Sequence, residues 1–540
     1  MNLLYYGDNL DVLRRHVEDE SVDLVYLDPP FNSNASYNVL FAERDGTQAA
    51  AQIKAFSDTW RWDESAARAY EEIVEGGGKV SPAMQAFRTL LGETDMLAYL
   101  AMMAPRLVEL RRVLKPTGSI YLHCDPTASH YLKLLLDAVF GPQFFRAEII
   151  WKRTNARSTP LNWPRVHDVL LFYARSDEIV FTSLNVKADK TKMPHTLITG
   201  ADGQKYQTYE LTAPGATAEG ESGKPWRDYD PNKYSRHWAN TRAVMDKWDS
   251  DGLIHWPKDA GFPRRRAGEP FDLSMRTVTV GDVWTDVDRL NQTAKERLGY
   301  PTQKPEELLE RIITASSSEG DVVLDPFCGC GTTIAAAQRL NRRWIGIDIT
   351  SLAMTLIRHR LADSFGTAAI YEVVGEPVSL PDAAKLAQDD PYQFQWWALG
   401  LVGARPVEQK KGADQGIDGR IYFHEGDSRR TQQIIISVKA GKLHAPYVRD
   451  LRGVVEREKA AIGVLLALDE PARAMRTEAA SAGFYTSPWG KHQRLQILTI
   501  EDLLTGKTLD RPPAQASVTF KRAPKAEPKA REQPRIFGED

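Results

Sequence analysis

The chain has 540 residues, of which 42% are apolar and 26% charged, and its formal net charge is −3. This composition is typical of a soluble globular protein with about two to four domains. We expect no signal peptide, because the chain begins with the strand-like MNLLYY, and no membrane span, because no apolar run approaches roughly 18 residues. Three cysteines exclude a disulfide framework and predict a reducing, cytoplasmic location.

The first elements alternate between strand and helix patterns. A strand that ends in Gly7-Asp8 is followed by a short helix and by VDLVYL, a run typical of a buried strand in a parallel sheet. Two prolines then remove backbone donors and end the strand, at the run Asp28-Pro29-Pro30-Phe31. An acid, a rigid turn and an aromatic ring are expected where open α/β sheets bind ligands. A proline-stopped strand without function is the alternative interpretation.

The middle of the chain is less regular. Residues 40–94 are polar and contain three consecutive glycines, which predicts a mobile excursion over the sheet edge. A long helix from the cap Thr94 to Leu114 follows, and residues 180–285 predict an irregular α+β lobe. Two basic patches are candidate DNA contacts or solvated loops: Lys152, Arg153, Arg157 and Arg165 with Trp151 and Trp163, and the triplet Arg264–Arg266.

Regular patterns return after Tyr300. The unit 321–349 is a compact βαβ pattern, which predicts a parallel sheet. Glycines in its turn, DPFCGCGTT, allow a ligand to approach the backbone, and the next helix offers unpaired N–H groups. Asp348 closes the following strand, where an acid can accept hydrogen bonds from ribose hydroxyls. Such a turn by itself also fits a dinucleotide-binding fold.

Together these motifs resemble the DNA amino-methyltransferases that use S-adenosylmethionine. The run DPPF resembles their motif IV, DPFCGCGTT their motif I and TQKP, from Thr302, their motif X. Asp8 matches the acid of motif III. The order, with III and IV before a variable lobe and X, I and II after it, resembles the circularly permuted β class. The resemblance implies a Rossmann-like α/β methyltransferase fold over residues 1–375 and double-stranded DNA as the partner.

The resemblance also implies roles for single residues. Asp28 and the Pro29 carbonyl accept hydrogen bonds from the amino group of a flipped base, on which Phe31 stacks unless that ring packs in the core. Asp before Pro-Pro favours adenine N6, with cytosine N4 as the alternative. The catalytic set is Asp28, Pro29, Pro30 and Phe31. The cofactor-binding set is Asp8, Thr302, Gln303, Lys304, Pro305, Asp325, Pro326, Phe327, Gly329, Gly331, Thr332 and Asp348.

The carboxy-terminal part predicts a second α/β domain with a restriction-endonuclease-like fold. GIDG from Gly416 and the later strand IIISVK resemble the Mrr-like branch of PD-(D/E)xK nucleases. This implies that Asp418 binds a divalent metal such as Mg²⁺ and that Lys439 joins it in catalysis. Ser437 departs from the pattern, because Glu or Gln usually stands there. Cleavage and a silent DNA-binding module therefore both stay open.

The predicted function is a site-specific DNA methyltransferase in restriction–modification or phage defence. A modification-linked restriction endonuclease is the alternative, and a homodimer and a separate restriction subunit are left open. The predicted segments are a catalytic half at 1–179, a target-recognition lobe at 180–285, a cofactor half at 286–375, a linker at 376–390, the nuclease-like domain at 391–509 and a disordered tail at 510–540.

Overall fold

The computed structural model describes most of the chain in two compact units. The larger unit comprises Met1–Thr182 and Gly281–Asp540, and the smaller one Ser183–Val280. Phe31 and Arg157 lie outside the described residues. The described residues are 1–30, 62–156, 162–187, 197–200, 202–217, 220–257, 261–271, 277–291, 293–300, 302–407, 416–425, 431–513 and 517–526.

The amino-terminal part of the larger unit contributes five strands and five helices to the described residues. The strands are β1 (Asn2–Tyr6), β2 (Val22–Leu27), β3 (Leu114–Cys124), β4 (Phe145–Lys152) and β5 (His167–Ala174). The helices are α1 (Asn9–His16), α2 (Glu64–Glu75), α3 (Val80–Leu91), α4 (Asp95–Val113) and α5 (Ser129–Phe140). Helix α4 begins after its cap Thr94, as predicted.

Helices α2 and α3 occupy a stretch for which the sequence predicts a mobile excursion, and that prediction is wrong for residues 64–91. Val80, Met84 and Phe87 repeat every three or four residues, which places them on one face of α3. All three are buried in the core cluster that also holds the apolar side chains of α4. The glycines only separate the two helices, and the charged residues around them obscure the short apolar stripe.

The smaller unit is built from short strands and one described α-helix. Its strands are β6 (Asn185–Lys187), β7 (Leu197–Thr199), β8 (Lys205–Glu210), β9 (Thr212–Pro214), β10 (Arg236–Trp238), β11 (Ile254–His255), β12 (Arg264–Arg266) and β13 (Thr277–Thr279), and its helix is α6 (Arg242–Ser250). Leu211, Trp226, Trp238 and Met245 are buried in its core. This agrees with an irregular α+β lobe.

The predicted cofactor half, which follows the smaller unit in the chain, belongs to the larger unit. Its elements are β14 (Val283–Trp284), α7 (Glu306–Ser316), β15 (Val322–Asp325), α8 (Thr332–Arg339), β16 (Arg343–Asp348), α9 (Ser351–Phe365) and β17 (Tyr371–Val374). Together with the five amino-terminal strands, the four strands of this half form one nine-stranded sheet in the order β14-β4-β5-β3-β2-β15-β16-β1-β17 within the described residues. Strand β5 is antiparallel to both neighbours, and the other pairs are parallel. The predicted α/β architecture is confirmed.

The carboxy-terminal domain has a five-stranded sheet in the order β18-β19-β20-β21-β24. The strands are β18 (Arg405–Pro406), β19 (Gly419–His424), β20 (Thr431–Lys439), β21 (Ile462–Ala467), β22 (Phe484–Ser487), β23 (Gly490–Gln493) and β24 (Leu495–Thr499). The helices are α10 (Leu380–Asp389), α11 (Pro391–Leu401), α12 (Pro446–Arg457), α13 (Arg473–Ser481) and α14 (Ile500–Leu504). The predicted linker largely forms α10, whose Ala383 is buried in the core of this domain.

Residues 517–526, here named the C-terminal strap, make specific contacts, so the predicted disordered tail is wrong for this part. The Val518 N–H donates to the carbonyl of Tyr422 on β19 at 2.8 Å. Farther along, the Ala523 N–H donates to Asp363 Oδ2 on α9 at 3.0 Å. The strap therefore joins the carboxy-terminal domain to the cofactor half. No helix in the described part of the chain is long and apolar enough to span a membrane.

Candidate active site

Four predicted acids lie at one edge of the large sheet. Asp325 and Asp348 are the last residues of β15 and β16. Asp28 follows β2 directly, and Asp8 follows β1 after one residue, Gly7. The order β2-β15-β16-β1 makes these strands neighbours, and all of them are parallel. Carboxyl ends of parallel strands meet at one edge, where α/β sheets bind ligands. The structure thus brings together motifs about 300 residues apart in the chain.

Asp28 is paired with a cation from the other half of the sheet. Lys304 Nζ donates to Asp28 Oδ2. The lysine side chain is 12% exposed and the aspartate side chain 17%, so the pair is largely screened from water. Pro29 is buried and Pro30 half-buried. The motif X lysine therefore contacts the catalytic candidate directly, which the motif assignment does not predict.

The backbone that carries Lys304 is held on both sides. Gln303 Oε1 accepts from the Leu298 N–H at 2.8 Å, and Gln303 Nε2 donates to the Glu296 carbonyl at 2.6 Å. Pro305 is the N-cap residue of α7. Thr302 is exposed. Among the four motif X residues, Gln303 thus has a structural role in this loop and Lys304 reaches the acid.

The first residue of α7 is anchored by a buried ion network. Glu306 Oε1 accepts from Arg360 Nη2 at 2.5 Å, and Arg339 pairs with Glu306 Oε2. Burial opposes ionisation of this carboxyl, but the two arginines outweigh it and lower its pKa. A buried charge needs such partners. The network fixes the start of α7 next to Lys304.

The turn after β15 is shaped by glycines with left-handed backbone. Gly329 has φ +50° and Gly331 φ +74°, a conformation that L side chains rarely adopt. A Cβ on Gly331 would lie 2.9 Å from Ile357 Cγ1, and one on Gly329 would lie 3.2 Å from the Tyr300 ring. Thr332 is buried at the first turn of α8. Only glycine fits both positions, as the sequence predicts for a cradle-like turn.

Asp325 is a nearly inaccessible carboxyl with two protein donors. It is 3% exposed and accepts from the Phe327 N–H at 3.0 Å and from Thr333 Oγ1 at 2.5 Å. Burial nevertheless raises its pKa to about 7. The structure therefore places Asp325 inside the turn, where it braces the backbone. Pro326 beside it is buried, and Phe327 packs against the main core.

Asp348 ties the ends of two strands together. Its Oδ2 accepts from the Gly329 N–H at 2.9 Å, and its Oδ1 accepts from Thr350 N–H and Oγ1 at 2.9 and 2.7 Å. Burial raises the pKa of this carboxyl. The predicted ribose acceptor thus already accepts hydrogen bonds from the glycine turn and from Thr350.

Asp8 caps α1 and pairs with an arginine of α4. Its Oδ1 accepts from the Leu10 N–H at 2.8 Å, and its Oδ2 accepts from Arg106 Nη2 at 2.7 Å. Next to it, Asn9 Nδ2 donates to the Pro326 carbonyl at 2.8 Å. The motif III residues are therefore joined to the glycine turn through Asn9. Neither Asn9 nor Arg106 is among the residues predicted from the sequence.

A buried polar chain lies on the catalytic side of the same edge. Tyr26 OH is 2.9 Å from His123 Nδ1, and His123 Nε2 is 3.2 Å from Asp168 Oδ2. All three residues are at most 2% exposed. Tyr26 precedes Asp28 by two residues, which places both on one face of the strand. Sequence reasoning missed this chain, because only its partners distinguish a buried histidine from an ordinary core residue.

The two basic patches predicted as candidate DNA contacts differ in their exposure and contacts. In the first, Trp151 is buried and Trp163 is 94% exposed, while Arg165 Nη1 donates to Thr127 Oγ1 at 3.0 Å. In the triplet of β12, Arg265 lies 4.5 Å over the ring of Trp248 and Arg266 4.3 Å over that of Tyr206. The triplet is therefore engaged within its own lobe.

At the predicted metal site of the carboxy-terminal domain, the described residues hold Asp418 by hydrogen bonds. Asp418 Oδ2 accepts from Ser437 Oγ at 3.1 Å and from the Val438 N–H at 2.6 Å, and its Oδ1 accepts from Gln395 Nε2 at 3.1 Å. Lys439 Nζ lies 5.3 Å from the ring centre of Tyr447. Within the described ranges no cluster of three His, Cys, Asp or Glu side chains could hold a metal. These residues do not fit Mg²⁺.

The carboxy-terminal domain also touches the cofactor side. Trp396 of α11 and Phe520 of the C-terminal strap pack against a cluster that contains Cys330 of the glycine turn. Gln393 Oε1 accepts from Tyr6 OH at 3.4 Å. Tyr6 is the last residue of β1, directly before Gly7-Asp8. The two domains therefore share packing next to the glycine turn.

Comparison with known proteins agrees with this α/β site. A family model described as DNA methylase matches residues 22–358, more than half of the chain, and the chain therefore belongs to the N6/N4 DNA methylase family. It is a DNA methyltransferase. A second model, described as NACHT-associated inactive Restriction Endonuclease 1, matches residues 393–505. The Mrr-like assignment is not confirmed.

Curated relatives cover most of the chain at low identity. The Type II methyltransferase M.EcaI of Enterobacter cloacae is 28% identical over 394 residues, which cover 71% of this chain and 76% of that protein. The Type III restriction-modification enzyme StyLTI Mod subunit of Salmonella typhimurium is 27% identical over 421 residues, or 72% of this chain and 58% of the relative.

Two solved structures are also similar. The M1.HpyAVI–SAM complex matches with a TM-score of 0.30 and 14% identity, over 67% of this chain and 99% of that chain. The PvuII DNA methyltransferase (cytosine-N4-specific) has the same TM-score and identity, over 66% and 85%.

Proposed function

We propose that this DNA methyltransferase moves a methyl group from S-adenosylmethionine to the exocyclic amino group of a flipped base, and that this base is adenine, methylated at N6, as the Asp-Pro-Pro motif favours. One observation carries the proposal: Asp28 follows β2 directly beside the glycine turn that follows β15. Methyl transfer requires that the cofactor and the target base are held next to each other. Adjacent strand ends can do this, because one carries the proposed base acceptor and the other the proposed nucleoside-binding turn.

The glycine turn fits S-adenosylmethionine by its backbone. Gly329 and Gly331 permit close approach, the first N–H groups of α8 point out of the turn, and Asp348 supplies oxygens nearby. When bound, the cofactor supplies an electrophilic methyl group on a sulfonium. The acids at this edge suit that positive charge. Asp8, Asp325 and Thr332 would then act chiefly by shaping the turn.

Asp28 has a role that follows from the electronic structure of the amino group. The lone pair of an exocyclic amine is delocalised into the base, so the nitrogen is a weak nucleophile. Hydrogen bonds from the amino group to Asp28 and to the Pro29 carbonyl favour a tetrahedral nitrogen as the bond to the methyl carbon forms. The bond from that carbon to sulfur would break at the same time, and the nitrogen would then release its extra proton to water. The base must first leave the duplex, and Phe31 is proposed to stack on it.

Adenine is proposed over cytosine because Asp before Pro-Pro is typical of N6 enzymes in the resembling β class. Cytosine N4 is the alternative, since the family comprises both activities. Modified-base sequencing of DNA from cells that express the protein identifies the base and its context. Methylation found only on cytosine N4 would contradict the adenine proposal and leave the methyl transfer intact.

The central test is Asp28→Ala. We expect loss of methyl transfer to duplex DNA, with cofactor affinity changed little, because Asp28 faces the base and not the turn. Asp19→Ala is the control, since that side chain is 73% exposed at the other end of β2. Transfer by Asp28→Ala at the wild-type rate would refute the assigned role.

For the carboxy-terminal domain we propose an inactive restriction-endonuclease-like module. The carboxylate of Asp418 is engaged by three protein donors, and a serine stands where a second acid or amide is usual. Plasmid incubated with protein and Mg²⁺ should stay intact, and Lys439→Ala should behave identically. Nicking that depends on Lys439 would instead support the restriction-endonuclease alternative.

The cellular setting is proposed from the relatives and the thiols. The StyLTI Mod subunit is a restriction-modification enzyme subunit by name, which favours that setting and leaves a separate restriction subunit as a proposed partner. Cys124, Cys328 and Cys330 are free and buried, as expected in a reducing cytoplasm. A homodimer stays a prediction.

A further inference from the structure

We propose that Lys304 is a positioning residue for Asp28, and that it acts on the acid and not on the cofactor as its motif X place implies. The inference rests on the proposed function. Its basis is the ion pair between Lys304 Nζ and Asp28 Oδ2, which joins the cofactor half to the catalytic half. The pair joins residues 276 positions apart in the chain.

The lysine is held so that its side chain reaches Asp28. The two hydrogen bonds of Gln303 fix the loop before it. After it, the Glu306 N–H donates to Glu296 Oε2 at 3.1 Å, and Arg360 holds the Glu306 side chain. Because the backbone is already fixed on both sides, forming the pair costs only the rotamer entropy of the lysine side chain itself. The ion pair is therefore preorganised and is not a chance surface contact.

The carboxylates near Lys304 favour a positive charge at this position. Asp28 lies at a sheet edge that also carries Asp325 and Asp348. Asp168 belongs to the buried chain with Tyr26 and His123 on the same side of the site. Although burial opposes it, His123, Lys304 and Arg153 together lower the pKa of Asp168, so the field of Lys304 extends beyond Asp28. A cation among several carboxylates offsets their repulsion.

The ion pair also gives the two carboxylate oxygens of Asp28 different roles. The ammonium group binds Oδ2, so Oδ1 becomes the acceptor for the target amino group. Without the ammonium group the carboxylate can rotate away from the orientation that the amino group needs. The expected defect is therefore in the chemical step, with cofactor binding largely preserved.

The experiment compares Lys304→Met, which keeps length but loses charge, with Lys304→Arg, which keeps charge. We expect Lys304→Met to lower kcat by about 10- to 100-fold, the effect of misplacing one reacting group. The dissociation constant of S-adenosylmethionine, measured by calorimetry, should change by less than about threefold. Lys304→Arg should recover most of kcat.

A matched control is Lys115→Met. Lys115 Nζ lies 2.7 Å from Asp23 Oδ1, so the variant removes another lysine–aspartate pair of the same strand, β2, away from the site. Its kcat should equal that of wild type. If Lys304→Met does not fold, Lys304→Gln is compared with Lys304→Arg in the same way.

The outcomes separate this inference from the proposed function. Weakened cofactor binding with unchanged kcat would make Lys304 a cofactor ligand and overturn the inference. Unchanged kcat and unchanged affinity would overturn it as well. Absence of methyl transfer by the wild-type protein would instead refute the proposed function, on which the inference rests.

Discussion

Asp325 makes the stability of the fold depend on pH in a direction that can be worked out. Its pKa is raised by burial from 3.8 to about 7, so the folded protein binds the proton more tightly than the unfolded chain. The contribution of this group is then most favourable below pH 3.8 and is lost as the pH rises to about 7. About three pKa units correspond to about 4 kcal/mol in total, of which about 3 kcal/mol falls between pH 5 and pH 8.

Asp325→Asn should remove this pH dependence without removing the contacts. The amide oxygen still accepts from the Phe327 N–H, and the amide nitrogen can donate to Thr333 Oγ1. We expect the urea midpoint of the variant to exceed that of wild type by a small amount near pH 5 and by a larger amount near pH 8. Tryptophan fluorescence in urea at several pH values provides the midpoints. Other buried acids such as Asp348 titrate in both proteins and cancel in the comparison. An identical fall in midpoint for both proteins would refute the reasoning.

Two further predictions concern the glycine turn and its neighbours. Gly331→Ala should lower the unfolding free energy by more than about 1 kcal/mol and weaken cofactor binding, because the new Cβ would meet Ile357. Gly320→Ala is the control, since Gly320 has φ +85° but no atom within 4 Å of the added Cβ. Equal effects of the two substitutions would contradict the prediction that the contact with Ile357 matters. Trp396→Ala should raise the dissociation constant of S-adenosylmethionine through the shared cluster, whereas Trp489→Ala, which removes a 42% exposed side chain of the same domain, should leave it unchanged.

The sequence predicts the parts of this site that depend on local pattern. Strand ends, the proline stop after Asp28 and the glycine turn are each encoded within ten residues, and their order in the chain predicts the two halves. Partners from distant segments are not encoded in this way. The pairing of Lys304 with Asp28 and the chain from Tyr26 to Asp168 depend on which strands become neighbours, and only the folded sheet specifies that.

The same limit explains the errors. The apolar stripe of α3 is short and lies among charged residues, so composition predicts a loop where packing against α4 makes a helix. The C-terminal strap has the composition of a disordered segment, yet hydrogen bonds to β19 and α9 order it. Local composition indicates only the structure that a segment adopts by itself. In α3 and in the C-terminal strap, contacts with distant parts of the chain determine the structure instead.

The place of β1 in the sheet has a consequence for synthesis. Leu3 pairs with Ile345 on one side and with Glu372 on the other, so β1 leaves the ribosome long before either of its two neighbours in the sheet. At about 5–20 residues per second, β1 waits roughly 20 to 70 seconds for its neighbours. During that time an apolar strand has two open edges, which favours aggregation. The nascent chain is therefore expected to depend on chaperones until the cofactor half has emerged.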